Sequence, residues 1–167
     1  MFFDGTGKQL GRADASGKLA INSLDVPIVT SSSGSTVYTV DGRPLAQIPR
    51  LHTVTEATLI GPWLFVDEVQ SSAFPKWQQY DLRTGSPGRV CEFYVGDSVG
   101  TDGEVAVLQI NNPGAGLVAK AADPATCEVL WRLPSQVESF AQVWRVNTTL
   151  VQLSDDGTEL FSLVAPS

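Results

Sequence analysis

A short apolar strand running into an acidic turn recurs along this chain at nearly constant intervals. Phe3-Asp4-Gly5-Thr6-Gly7 is the first copy and Val40-Asp41-Gly42-Arg43-Pro44 the second. Tyr80-Asp81-Leu82-Arg83-Thr84-Gly85 is the third, and Ala122-Asp123-Pro124-Ala125-Thr126-Cys127 the fourth. The strand Leu160-Phe161-Ser162-Leu163-Val164 holds the same place without the aspartate. The anchors at 4, 41, 81, 123 and 164 lie 37, 40, 42 and 41 residues apart. A period near 40 residues with about four short strands per unit is the pattern of a β-propeller blade. The turn has a plain physical basis. An aspartate side chain accepts hydrogen bonds from amides two or three residues on. A glycine then takes the left-handed conformation at no steric cost. Leu10, Leu45, Ile48, Val90, Phe93 and the run 129–131 follow these turns and are expected to pack between neighbouring sheets.

Other strand signals fill the intervals. Runs of strand length occur at 26–30, 36–40, 58–66, 78–82, 90–94, 104–110, 116–121, 128–133, 141–146, 149–154 and 159–164, bounded by turn-forming residues. No window shows a sustained helical period. A short helical turn is expected at 52–59, a hairpin loop at 31–35 and a turn at 100–103. The reading is all-β: one propeller-like domain over 1–167, with units at 1–14 (partial), 19–50, 52–95, 99–134 and 139–167. Propellers close with about four to eight blades. The chain therefore forms a small closed ring, half of a ring completed by a second copy, or a fragment with open edges. Open apolar edges invite pairing, so the last two readings imply a homodimer or aggregation. The opening Met1-Phe2-Phe3 has no basic segment or cleavage site of a secretory signal. It reads either as the end of a strand whose upstream partners are missing, or as a domain that begins with a strand.

Composition limits the chemistry. Lysine plus arginine number 11 and aspartate plus glutamate 18, a net charge of −7. This argues against nucleic acid or an anionic lipid surface as the main partner. No apolar run has the length of a membrane span. His52 is the sole histidine and has no recognisable partner motif, so a loop histidine is the default over a catalytic or zinc-binding one. Asp155-Asp156-Gly157-Thr158-Glu159 lacks the alternation of a calcium loop and reads as a hairpin. Gly5-Thr6-Gly7-Lys8 lacks the spacing of a phosphate loop. Asn147-Thr148-Thr149 matches a glycosylation acceptor, which matters only in a eukaryotic secretory host.

The segment Asp123-Pro124-Ala125-Thr126-Cys127-Glu128-Val129-Leu130-Trp131-Arg132-Leu133-Pro134 resembles the quinoprotein-type (pyrroloquinoline-quinone-like) propeller repeat. That repeat runs from an apolar strand into Asp, then Thr-Gly, an aliphatic pair and Trp. Tyr80 to Gly85 with Val90-Cys91-Glu92-Phe93 is a looser match, and Asp4 to Leu10 a third without the tryptophan. Two departures stand out. Cys127 occupies the glycine place, and Arg43-Pro44 replaces Thr-Gly. The resemblance implies a propeller, one that often works outside the cytoplasm. Quinoprotein dehydrogenases of this fold need a quinone, a calcium ion and a catalytic aspartate, and often carry adjacent cysteines. No residue set here matches those roles. The expectation is a non-enzymatic interaction or scaffold module without a cofactor, reading a protein or peptide partner. A ligand-sensing domain of an exported or envelope protein is the alternative, and the cytoplasm the alternative location.

The candidate contacts lie in the long loops at 67–77 and 111–116: Trp77 as an exposed anchor, with Phe74, Lys76, Asn111 and Asn112. Trp63, Trp131 and Trp144 either line a groove or pack between sheets, and Trp131 is assigned to packing. Cys91 and Cys127 lie 36 residues apart. They form either a disulfide between adjacent units or two separate thiols.

Overall fold

The computed structural model describes residues 1–13, 16–20, 26–49, 57–68, 76–92, 95, 98–110, 116–134, 143–146, 149–154 and 156–163. Every element among them is a β-strand, and every pairing is antiparallel. The chain divides into two compact units, Met1–Gly96 and Asp97–Ser167.

The first unit holds three sheets in chain order. β1 (Phe2–Phe3) pairs with β2 (Gln9–Gly11). A four-stranded sheet follows: β3 (Lys18–Leu19), β4 (Ile28–Ser31), β5 (Gly34–Tyr38) and β6 (Pro44–Pro49). The next comprises β7 (Ala57–Ile60), β8 (Trp63–Glu68), β9 (Lys76–Asp81) and β10 (Ser86–Cys91). Strands alternate their side chains between two faces, so each small sheet has two faces to cover. Ile28, Val37, Ala46 and Ile48 of the second sheet form one buried cluster with Leu64, Val66 and Tyr80 of the third. The β1–β2 pair joins this stack through Phe2, whose ring lies 6.2 Å from that of Tyr38. The backbones come close here: a Cβ on Gly11 would fall on the carbonyl oxygen of Asp41.

The second unit has two sheets. β11 (Ser98–Thr101), β12 (Ala106–Gln109), β13 (Leu117–Ala122) and β14 (Val129–Pro134) form a four-stranded meander. β15 (Val143–Val146), β16 (Thr149–Leu153) and β17 (Leu160–Leu163) form a three-stranded one. Val118, Ala119 and Leu133 make its buried cluster, with Val107, Trp131 and Leu150 packed against it. Trp131 is half-buried against this cluster on its own sheet.

Four local expectations change. The run 58–66 is a hairpin, closed by the pair Ile60 and Trp63. Gly61 turns the chain at a φ of 56°, with Pro62 beside it. The apolar run reads straight through because only two residues interrupt it. Residues 57–59 of the expected helical turn belong to β7, and 52–56 lie outside the described residues. The loop at 31–35 is shorter than expected. Ser31 pairs with Gly34, and Ser35 is buried inside β5. Gly100 and Thr101 end β11, and the turn follows at 102–105. Asp102 Oδ1 closes it by accepting from the Glu104 N–H at 2.9 Å and the Val105 N–H at 2.7 Å. The short strands β3 and β11 have no clear strand pattern in the sequence.

Candidate interaction site

The recurrent turn links the third and fourth strands of each full sheet, and β1 to β2. Its first residue donates its N–H across the turn and accepts an N–H in return. Asp4 donates to Lys8 at 3.0 Å and accepts from Gly7 at 3.0 Å. Thr39 donates to Arg43 at 2.8 Å and accepts from Gly42 at 3.0 Å. Asp123 donates to Glu128 at 2.9 Å and accepts from Cys127 at 2.9 Å. Asp81 accepts from Gly85 at 2.7 Å. The structural anchors are therefore 4, 39, 81, 123 and 154, spaced 35, 42, 42 and 31 residues apart; the last is Ser154, which donates to Glu159 at 2.8 Å and accepts from Gly157 at 3.0 Å, rather than position 164. The second copy begins at Thr39 rather than Asp41. Thr39 Oγ1 takes the usual aspartate role by accepting the Arg43 N–H at 2.9 Å. Asp41 accepts the Thr39 hydroxyl from inside the turn.

Each turn then needs a residue with positive φ. Gly7, Gly42 and Gly85 supply it at 84°, 90° and 74°. Cys127 supplies it at 61° and is the only non-glycine residue with positive φ among the described residues. Both Cys91 and Cys127 are disulfide-bonded, and neither is a free thiol.

The Asp81 turn carries the most developed surface cluster. Trp63 and Asp81 are directly paired across β8 and β9. Asp81 Oδ1 accepts the Arg83 backbone N–H at 2.9 Å and its Nε–H at 2.8 Å. Asp81 Oδ2 accepts from Nη2 at 2.8 Å, so the guanidinium is gripped in a fork. Arg83 then lies over the Trp63 ring, 5.0 Å from its centroid. Gly85 lets the turn sit on the Leu45 carbonyl of the neighbouring sheet. The result is an exposed arginine bonded to Asp81 and stacked on a tryptophan, two residue types enriched at binding hot spots. The Arg83 hydrogen bond holds the Asp81 carboxyl below the usual carboxylate range. Trp63 is a candidate by residue type alone, whereas Arg83 joins it only through the pairing of Trp63 with Asp81. The usable signal was Asp-x-Arg within a turn one strand away from Trp63.

The expected anchor moves. Trp77 lies in β9, not a loop, and is wholly buried. The strand begins at Lys76, and pleating turns Trp77 and Gln79 inward together. Gln79 Oε1 accepts the Arg89 N–H at 2.9 Å, at the irregular step of β10. Lys76 is partly exposed, its Nζ 4.0 Å from Glu92 Oε1. Phe74, Asn111 and Asn112 lie outside the described residues, as do His52, Asn147, Thr148 and Asp155. At 156–159 the turn joins β16 to β17, with Asp156 Oδ1 accepting the Thr158 N–H at 3.1 Å. No group of three or more His, Cys, Asp or Glu among the described residues could hold a metal ion. No helix among them is long and apolar enough to cross a membrane.

The turn carboxylates make stability acid-sensitive. Hydrogen bonds from Thr6, Thr39, Arg83, the Val105 amide and Ser154 lead in lowering Asp4, Asp41, Asp81, Asp102 and Asp156 below 3.8. A depressed carboxylate stabilises the fold above its unfolded pKa and loses that effect as pH falls through the folded value. The urea midpoint is expected to be flat above about pH 5 in this respect and to fall progressively below pH 3.8. A midpoint that held or rose on acidification would contradict the turn assignment.

Successive small antiparallel meanders, each turned by the same bonded loop, define a β-propeller fold. Residues 1–166 match the conjugation-associated nine-bladed β-propeller domain, and the chain belongs to that family. That is a propeller family, as the repeat implies; its description does not specify the quinoprotein type. An uncharacterised protein of Mycolicibacterium smegmatis is 38% identical over 171 residues, covering 100% of this chain. This chain spans 35% of that relative's length. Among solved structures, the computationally designed Ika4 protein matches with a TM-score of 0.50 at 14% identity. That match covers 95% of this chain and 99% of Ika4. The designed Ika8 protein matches with a TM-score of 0.51 at 15% identity, over 95% of this chain and 50% of Ika8.

Proposed function

We propose that this chain is a non-enzymatic binding module in a conjugation-associated assembly, docking a protein or peptide partner. The observation that carries this reading is the family match over residues 1–166. The fold is consistent with it, because propeller sheets hold their turns rigidly and so present side chains at little entropic cost on binding. The docking surface in this reading is Arg83 on Trp63. A guanidinium held in advance by Asp81 offers its remaining donors to a carboxylate or carbonyl oxygen of a partner. The compartment is extracytoplasmic or in the envelope, a reading supported by the two disulfide-bonded cysteines. The Asp123 turn, with its following Trp131, supports the narrower kinship to quinoprotein-type repeats.

Site-specific photocrosslinking in a mating donor tests this reading. A photoreactive residue at the exposed Thr84, beside Arg83, is expected to give a discrete adduct with another protein. Arg83→Ala is expected to abolish the adduct while leaving the fold intact, since an exposed ion pair contributes little stability. The same probe at Gly5, in the first turn, serves as the control. Equal adducts at both positions, or an adduct indifferent to Arg83→Ala, would exclude Arg83 as the docking point.

A further inference from the structure

The recurrent turns of this chain do not all present the same charge. In the second and third, the aspartate is engaged by its own turn. Asp41 takes the Thr39 hydroxyl, and Asp81 takes the Arg83 backbone N–H. Their paired arginines point outward. The Arg43 side chain is 77% exposed against 45% for Asp41, and that of Arg83 61% against 15% for Asp81. An approaching group therefore meets guanidinium before carboxylate. Among the described recurrent turns, only these two carry arginine. The first closes on Lys8, a point charge without a planar fork, and the turns of the second unit close on Glu128 and Glu159.

The two arginines belong to neighbouring turns of the first unit. Gly85 of the third turn sits on the carbonyl oxygen of Leu45, where a Cβ would collide with it. Leu45 lies two residues after Arg43, and Gly85 two residues after Arg83. Both arginines thus flank one contact between the second and third sheets, and both keep donors that their own turns do not use. A guanidinium donates from Nε, Nη1 and Nη2. Arg43 uses only Nε, on Asp41 Oδ2 at 3.1 Å and more weakly on Oδ1. Arg83 uses Nε and one proton of Nη2. No acceptor among the described residues engages Nη1 of either. The outer protons of Nη1 and Nη2 form a second fork, matched to the two oxygens of a carboxylate.

We propose that Arg43 and Arg83 form a two-point clamp for an acidic segment of a partner protein, each guanidinium gripping one carboxylate. The clamp rests on Arg83 as the docking point and adds the chemistry of what docks there. A nucleic-acid backbone suits this surface less well, because phosphates call for a broad positive field and the chain carries a net charge of −7.

Fluorescence anisotropy of a labelled peptide of alternating glutamate and glycine, titrated with the full chain, tests the clamp. Saturable binding is expected, weakened by added salt. It should be absent for the same peptide with glutamine in place of glutamate. Arg43→Glu and Arg83→Glu are each expected to weaken binding roughly tenfold, since reversal turns attraction into repulsion. Arg43→Lys keeps the charge and loses the fork, so its loss should be smaller but measurable. Circular dichroism checks that each variant folds. In the donor, Arg43→Glu is expected to abolish the Thr84 adduct as Arg83→Ala does. An adduct lost through Arg83→Ala but kept through Arg43→Glu would leave Arg83 as the docking point and overturn the clamp. So would a glutamate peptide that does not bind, binding indifferent to either reversal, or Arg43→Lys equal to the wild type. A single-stranded oligonucleotide bound as tightly as the peptide, with the same dependence on Arg43, would overturn it too.

Discussion

Replacing Trp77 by alanine is expected to lower the free energy of unfolding by about 3–5 kcal/mol, the usual cost of emptying a buried aromatic site. The side chain is fully buried in β9, paired across the sheet with Asp67 on one side and Cys91 on the other. Domains of this size are stable by only about 5–15 kcal/mol, so the variant will stand near its unfolding threshold. Trp77→Phe keeps most of the apolar volume and is expected to cost markedly less. Urea unfolding followed by far-ultraviolet circular dichroism measures both. An exposed loop tryptophan would behave in the opposite way, with a loss near zero in stability and an effect only on binding. A loss below about 1 kcal/mol for Trp77→Ala would therefore restore the loop reading.

The second large effect is at Cys127, where two terms oppose each other. Its left-handed φ of 61° costs a non-glycine residue roughly 1–2 kcal/mol. Its disulfide contributes about 2–4 kcal/mol, chiefly by restricting the unfolded chain. Cys127→Gly removes both. Without reductant, the lost disulfide dominates and the variant is expected to be less stable than the wild type. With reductant, neither protein has the bond and only the backbone term remains. The variant is then expected to be the more stable, by about 1 kcal/mol. Cys127→Ser keeps the backbone cost and should show no such gain. Urea midpoints with and without reductant decide the matter. A change of the same sign in both conditions would show that one of the two terms is misassigned.

These two positions also show what could be read from the chain. The Cys127 departure is visible because the first and third copies place glycine there, at Gly7 and Gly85, and the structure gives that position its positive φ. The turns at Asp4 and Asp81 are legible because an aspartate followed three or four residues on by glycine acts locally. The offset at Thr39 was not. A hydroxyl replaces the carboxylate at the first position, while Asp41 sits two residues on and imitates it. Trp77 was misplaced for a related reason. Phe74 and Pro75 resemble loop, and a strand start one residue before Trp77 leaves no local mark. Gly61-Pro62 was lost inside an apolar run because a two-residue turn barely interrupts alternation. The Arg83–Trp63 stack joins residues on different strands, so only the register of β8 on β9 reveals it.

The most direct test of the account is the frequency of DNA transfer from a donor strain whose copy of this chain has been deleted. The proposed role as a binding module of a conjugation-associated assembly predicts a sharp fall in transfer. Wild-type protein supplied in trans should restore it, and Arg83→Ala should not. Transfer unchanged by the deletion would contradict the central claim.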